Sequence, residues 1–394
     1  MVRYKIDDVT DDMVLAESIF TSSGELLLAA GYRVTERYRR RLKSLGFGTV
    51  KIIVEGTEEV IPETIISEHV QREMSVAFKK TTSEMKSLFQ YKQQTQKTVQ
   101  DLIAENRNHL DKLIMNSGIV NTLDKFIEEI LAQSAVVLNL SALAQINESY
   151  FTHVVNVTIS ALCLGKKYRF SYDEMKQLGM GAINYDLGLV AISKDILEKN
   201  EPLTDEEKRQ LQQHTVYGHL MLSQNPSIPA TSSAVSFQHH EYQNGTGYPR
   251  GLRGENLPPV KDFSRKNMIH RYAEIVAVAD AYDMLSNGRK HYSRKHDART
   301  ALRRLIELGG NFLNADVIKT MITMIPLYPV GARIRVVNAP ISQLVGYYGV
   351  VARDNHENLE HPQIILYETK HHQKVKPILI DLSKHRGFIV ELAG

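Results

Sequence analysis

Residues 64–133 contain no proline and one glycine, Gly118. Their apolar residues recur every three or four positions. In the second half these are Val99, Leu102, Ile103, Leu110, Leu113, Ile114, Val120, Leu123, Phe126, Ile127 and Ile130; in the sparser first half, Val70, Met74, Phe78, Met85 and Leu88. That period belongs to the α-helix. A Gln-rich run, QYKQQTQKTVQ, separates the halves. Long helices with a thin apolar stripe are not stable alone. The stretch is therefore expected either as a dimerising stalk or signal-transmitting linker, or as a helical hairpin packed within the chain.

The flanks have another texture. Residues 1–62 read as a small module in which MVLAESIF and LLLAAG form a hairpin about SSGE. VTERYRRRLKSLGFGTVKIIV then reads as a helix capped at Thr35, stopped at Gly46 and followed by a strand. Its arginines, Arg37 and Arg39 to Arg41, are expected on a solvated helix face. After PLYPV, residues 327–394 alternate β-branched and aromatic residues between Gly and Asn turns, as in GARIRVVN, GYYGVVAR and PQIILYET, and read as a small β module. KHHQK at 370–374 puts two histidines side by side, which a strand would point to opposite faces. An exposed turn is expected there.

Between these flanks, 136–326 is a second helical block, and it contains chemistry. Asp186 lies in GAINYDLGLVAI and Asp280 in EIVAVADAYDML. A carboxylate among such neighbours costs several kcal/mol unless a cation or donors offset it. His153, in YFTHVVNVTISALCLG, His214, in LQQHTVYGHLML, and the pair His239-His240 lie in the same block. Any one of these histidines alone would more often be structural. Two buried aspartates with four histidines suggest a site for more than one divalent metal, and mixed His and carboxylate ligation suits Mn, Fe, Co, Ni or Zn better than Ca or Mg.

HHEYQNGTGYPRGLRGENLP, 239–258, closely resembles the HD-GYP signature HHExxDGxGYPxGLxGxxIP, and the similarity extends over about 140–325. That resemblance implies a mainly α fold: a helical HD-type domain at 136–326 behind a helical linker at 63–135, with a small α+β module before and a β module after. It implies cyclic di-GMP as substrate or ligand, with pGpG, GMP or both as products. It further implies one or two divalent transition metals, Fe or Mn foremost and Zn, Co or Ni as alternatives, held by His153, Asp186, His214, His239, His240 and Asp280. Asp186 would bridge the metals, beside the water that attacks phosphorus, and so carry the catalysis. Gly247, Tyr248 and Pro249 would shape a turn at the site and meet a GGDEF-type cyclase partner. Arg289 would grip phosphate, and Asp283 would support the ligands or line the pocket.

This chain departs from that pattern at four positions. Where the family has H-D-x-G-K, residues 185–189 read Y-D-L-G-L, so Tyr185 replaces a ligand histidine and Leu189 a lysine. Asn244 stands for Asp, and Tyr292 for a basic residue. An optional carboxylate one turn before His153 falls at Ser149, with Glu148 adjacent. Both departures at 185 and 189 weaken stabilisation of the same transition-state charge, so weakened or absent hydrolysis is expected. The alternative is a catalytically inactive module that binds cyclic di-GMP or a protein and relays the event through 64–133, with a homodimer through that stretch. A literal His-Asp pair, His296-Asp297, reads as the start of an amphipathic helix.

The bulk properties narrow the classes. At 394 residues, two or three domains are expected. Forty-eight Lys and Arg against 45 Asp and Glu leave +3, too balanced for a coat on long nucleic acid. Cys163 is the only cysteine, which excludes an internal disulfide and fits a reducing compartment. MVRYKIDDVT carries both charge signs and is not expected to act as a signal peptide. No run approaches the ~18 apolar residues of a membrane span. A cytoplasmic location is expected.

Overall fold

The computed structural model describes all residues except 21–25, 46, 62–64, 91–96, 117, 139–149, 262–266, 289–294 and 394. The chain is mainly α and divides into two compact units, one of Met1–Thr64, Val137–Glu148 and Ile325–Gly394, the other of Ile65–Val136 and Ser149–Met324.

The first unit joins the two ends of the chain. Strands β1 (Val2–Lys5), β2 (Ile19–Phe20) and β3 (Leu26–Leu28) precede helix α1 (Glu36–Ser44) and β4 (Thr49–Ile52). β1 pairs with β4 and β2 with β3, both antiparallel. The SSG turn and Gly46 lie outside the described residues. Three basic residues of α1 have acidic partners, Arg39 with Asp11, Arg40 with Glu36 and Lys43 with Asp7, as a solvated face requires. β5 (Arg333–Asn338), β6 (Tyr348–Arg353), β7 (Gln363–Glu368), β8 (Lys374–Asp381) and β9 (Ile389–Leu392) form an antiparallel sheet in the order β8-β7-β6-β5-β9.

The 1–62 and 327–394 segments, read as separate modules, share one core. The Arg3 amide donates to the Gly331 carbonyl at 2.9 Å, and Val2, Ile6, Leu15, Val50 and Ile52 cluster with Ile334, Val350, Ile364 and Leu366. Each such side chain, fully buried, is worth about 1.5–3 kcal/mol. The Arg333 guanidinium lies 4.8 Å from the Tyr4 ring and 4.5 Å from the Tyr348 ring, and pairs with Glu368 at 3.1 Å. At 370–374 the chain turns between β7 and β8; His372 is exposed and its Nδ1 meets Glu368 at 2.6 Å.

The second unit is helical. α2 (Glu68–Gln90), α3 (Val99–Glu105), α4 (Arg107–Asn116) and α5 (Ile119–Ala132) pack within it, so the 64–133 apolar stripe is covered by its own chain. Met74, Phe78, Ile114, Leu123, Phe126, Ile127 and Ile130 are fully buried. The described residues of the segment form four helices packed within this unit.

The site-bearing helices follow: α6 (Tyr150–Lys167), α7 (Tyr172–Asn184), α8 (Lys194–Glu198), α9 (Asp205–Gln212), α10 (His214–Ser223), α11 (Ala230–Gln238), α12 (Arg271–Asn287), α13 (Ala298–Leu308) and α14 (Ala315–Ile322). Local sequence sets their starts. Ser171 with Glu174 and Thr204 with Glu207 close reciprocal capping boxes on α7 and α9. Asp297 caps α13 by accepting from the Thr300 amide at 2.9 Å, which is the structural role expected of the literal His-Asp pair. Among the described residues, no helix is long and apolar enough to cross a membrane.

Candidate metal centre

Four chain segments converge around Asp186. α7 ends at Asn184, and Tyr185 and Asp186 lead from it into the 3-10 turn Leu187–Ala191. α10 opens with His214, and α11 delivers His239 and His240 just past its last turn. Gly188 makes the convergence possible, because a methyl group there would overlap the His214 carbonyl and the Gly218 amide. Only a residue without Cβ lets the turn lie this close to α10.

His214, His239 and His240 place one ring nitrogen each within 4.8 Å of one another. His214 Nε2 lies 3.4 Å and His239 Nε2 3.6 Å from Asp186 Oδ1. The far nitrogens fix the tautomers. His214 Nδ1 is 2.7 Å from the Leu211 carbonyl, and His239 Nδ1 is 3.0 Å from that of Ser236. A carbonyl only accepts, so both Nδ1 atoms carry the proton. In the neutral rings both Nε2 lone pairs are left facing each other, 3.3 Å apart beside a carboxylate. Two ring nitrogens and a carboxylate gathered in a buried space can hold a cation, and imidazoles braced by carbonyls are oriented for metal ligation. The donor set fits a divalent transition metal. His240 stacks on Tyr248, with centroids 4.8 Å apart at 27°.

The other half is built differently. His153, on α6, directs Nδ1 to Asp283 Oδ2 at 2.7 Å, and Asp283 Oδ1 accepts from the Asn156 and Asn287 amides at 2.8 and 2.7 Å. His153 Nε2 meets Tyr185 Oη at 2.6 Å and Asp280 Oδ1 at 2.9 Å, and the Tyr185 hydroxyl donates to Asp280 at 2.9 Å. All of these groups are buried except Asn287, which is half-buried. The six residues expected as ligands thus separate into Asp186 with three histidines on one side and His153 with Asp280 on the other, where Tyr185 joins the pair. Asp283 acts through His153, which it orients.

The remaining expected positions fall at the rim or elsewhere. Leu189 is buried in an apolar cluster with Ile192 and Ile196, so its side chain extends no substitute for the lysine toward phosphate. Asn244 Oδ1 accepts from the Thr246 amide at 3.0 Å and shapes the turn before Gly247. Gly247 packs so tightly on the His240 carbonyl and the Tyr242 amide that a side chain there would overlap them. The Tyr248-Pro249 peptide is cis. Arg289, Tyr292, Glu148 and Ser149 lie outside the described residues.

Some residues with clear local roles escaped the sequence reading. Glu241 is buried and accepts from the Arg250 and Leu252 amides, both at 2.7 Å, pinning the loop that follows the histidine pair. Burial pushes its carboxyl above the usual range, and those amide donors pull it back. Its signal was present as the third letter of HHE. Asn156 and Asn287 had weaker signals: one lies three residues after His153, the other four after Asp283.

The family profile of the HD domain matches residues 125–317. Among characterised proteins, the chain is similar to a cyclic di-GMP phosphodiesterase of Pseudomonas aeruginosa, 26% identical over 263 residues that cover 66% of this chain and 58% of that protein. It is 30% identical over 141 residues to a cyclic di-GMP phosphodiesterase of Thermotoga maritima, covering 36% of this chain and 35% of that one. A cyclic di-GMP phosphodiesterase response regulator of Xanthomonas campestris pv. campestris is 34% identical over 123 residues, covering 31% of this chain and 29% of the relative. In each case the match spans less than two thirds of the relative's length.

Proposed function

The chain belongs to the HD-GYP branch of the HD family, and on that premise we propose that its helical unit binds cyclic di-GMP beside a metal centre and hydrolyses it weakly or not at all. The observation that carries this reading is the pair of carbonyl-braced histidines whose Nε2 atoms face each other 3.3 Å apart beside Asp186. A divalent cation held there supplies Lewis-acid charge to a phosphodiester oxygen and lowers the pKa of a water towards neutrality. Asp186, His214, His239 and His240 would hold it. Glu241 keeps the Gly247–Pro249 loop in place beside His240, and Tyr248 offers an aromatic face at the rim.

Weak turnover follows from two residues. Leu189 brings no positive charge to the phosphate, and charge placed where a transition state becomes more negative is commonly the largest catalytic contribution. Tyr185 meets His153 and Asp280 with a hydroxyl in place of an imidazole. Arg289 remains the phosphate-gripping residue of this reading, and the Gly247-Tyr248-Pro249 turn its contact for a GGDEF-type cyclase.

Calorimetric titration of cyclic di-GMP into the Mn- or Fe-loaded chain, with chromatography for pGpG and GMP on the same sample, tests the proposal. Metal-dependent binding, lost in His239→Ala, with slow or absent product formation is expected. No binding to the loaded protein would refute the assignment of ligand. Fast turnover would refute the weakened chemistry.

A further inference from the structure

We infer that Tyr185 closes one half of a two-cation site with its hydroxyl, so that this chain takes one divalent cation where the HD-GYP pattern provides for two; the inference rests on the HD-GYP reading of the helical unit. His153 Nε2 and Asp280 Oδ1, the two atoms that would face a cation in that half, lie 2.9 Å apart, and Tyr185 Oη stands 2.6 and 2.9 Å from them. One hydroxyl meets both. Its one proton goes to Asp280 Oδ1 and its oxygen stands against His153 Nε2, so the hydroxyl fills the space that faces both atoms.

The corner is braced from behind. Asp283 holds His153 Nδ1 at 2.7 Å while its other oxygen takes two asparagine amides, so turning the imidazole would break a buried network. Breaking such a network costs more than a surface hydrogen bond, because each buried partner loses its solvation as well. Nor can the phenol swing aside. Tyr185 is 1% exposed, its ring lies edge-on to His239 with centroids 4.9 Å apart, and its carbonyl accepts from Ser236 Oγ at 2.8 Å. The contrast with the other half is chemical. There, neutral imidazole lone pairs converge on one space. Here a hydroxyl supplies the hydrogen-bonding partner itself.

Metal counting on the full-length chain decides the matter. The protein is stripped with chelator, reconstituted anaerobically with Fe(II) or Mn(II), desalted and measured by elemental analysis beside Tyr185→His and Tyr185→Phe. The inference expects one equivalent in the unaltered chain and two in Tyr185→His. It expects one in Tyr185→Phe, which loses the hydroxyl and gains no ligand. After oxidation of the iron-loaded chain, it also expects no tyrosinate-to-iron charge-transfer band in the visible spectrum. Two equivalents in the unaltered chain, or that band, would overturn the inference and leave the HD-GYP reading standing. One equivalent in folded Tyr185→His would overturn it as well. No metal in any of the three proteins would overturn the HD-GYP reading and the inference with it. Should Tyr185→His fail to fold, the count and the spectrum of the unaltered chain still decide.

Discussion

The two halves of the centre are made from the same residue types and solve opposite problems. Around Asp186, three histidines present ring nitrogens to one another, and carbonyls fix the tautomers of two of them. Around His153, the imidazole is satisfied on one side by Asp283 and on the other by Tyr185 and Asp280. The first arrangement gathers ring nitrogens beside a carboxylate, and in the second a phenol hydroxyl stands against both the imidazole and the carboxylate. Histidine and aspartate content alone therefore does not count metal sites; the partner on each far nitrogen does.

That contrast can be broken by substitution. The largest expected effect is on folding: Asp283→Ala strands His153 Nδ1 and two asparagine amides, that of Asn156 buried, and should cost about 3–5 kcal/mol in urea unfolding of the metal-free protein. Metal retained by the folded fraction should not change. A smaller energy but a larger functional loss is expected from His239→Ala. Removing an orienting partner alone typically lowers metal affinity ~10–100-fold, so losing a ligand should reach at least ~100-fold in a competitive chelator titration. If both variants lost metal equally, the halves would not be independent.

Gly188→Ala sharpens the comparison from the backbone side. The added methyl overlaps the His214 carbonyl and the Gly218 amide, neither the end of a flexible side chain. About 1–3 kcal/mol of destabilisation is expected from such overpacking, with weakened metal binding because His214 moves. The smallest effect belongs to Asp297→Ala, in the literal His-Asp pair. Losing that cap should cost ~1 kcal/mol and leave the metal count and cyclic di-GMP binding intact. A change in either would give His296-Asp297 a functional part that its capping geometry does not.

Much of this was legible in the sequence because it depends on residue identity at short range. The helix start at Asp297 and the HHE-to-GYP stretch both act within a few residues of themselves. What was not legible depends on what covers a face. Periodicity in 64–133 marked the buried stripe, but it could not distinguish a second chain from α2 to α5 packing within their own unit. Alternation in 327–394 marked strands, yet their shared core with residues 1–62 depends on contacts such as Arg3 to Gly331, more than three hundred residues apart. Tyr185 was readable as a missing ligand. Its hydroxyl lying between His153 and Asp280 was not, since that needs the register of α6, α7 and α12 together. Leu189 likewise reads as a lost lysine in one dimension and as part of an apolar cluster in three.

The most direct test is an anomalous-difference map from crystals of the full-length chain loaded with manganese. The account predicts one peak per chain, among His214, His239, His240 and Asp186, with the Tyr185 hydroxyl still bonded to His153 and Asp280. A second peak between His153 and Asp280, with Tyr185 displaced or ligating, would contradict it.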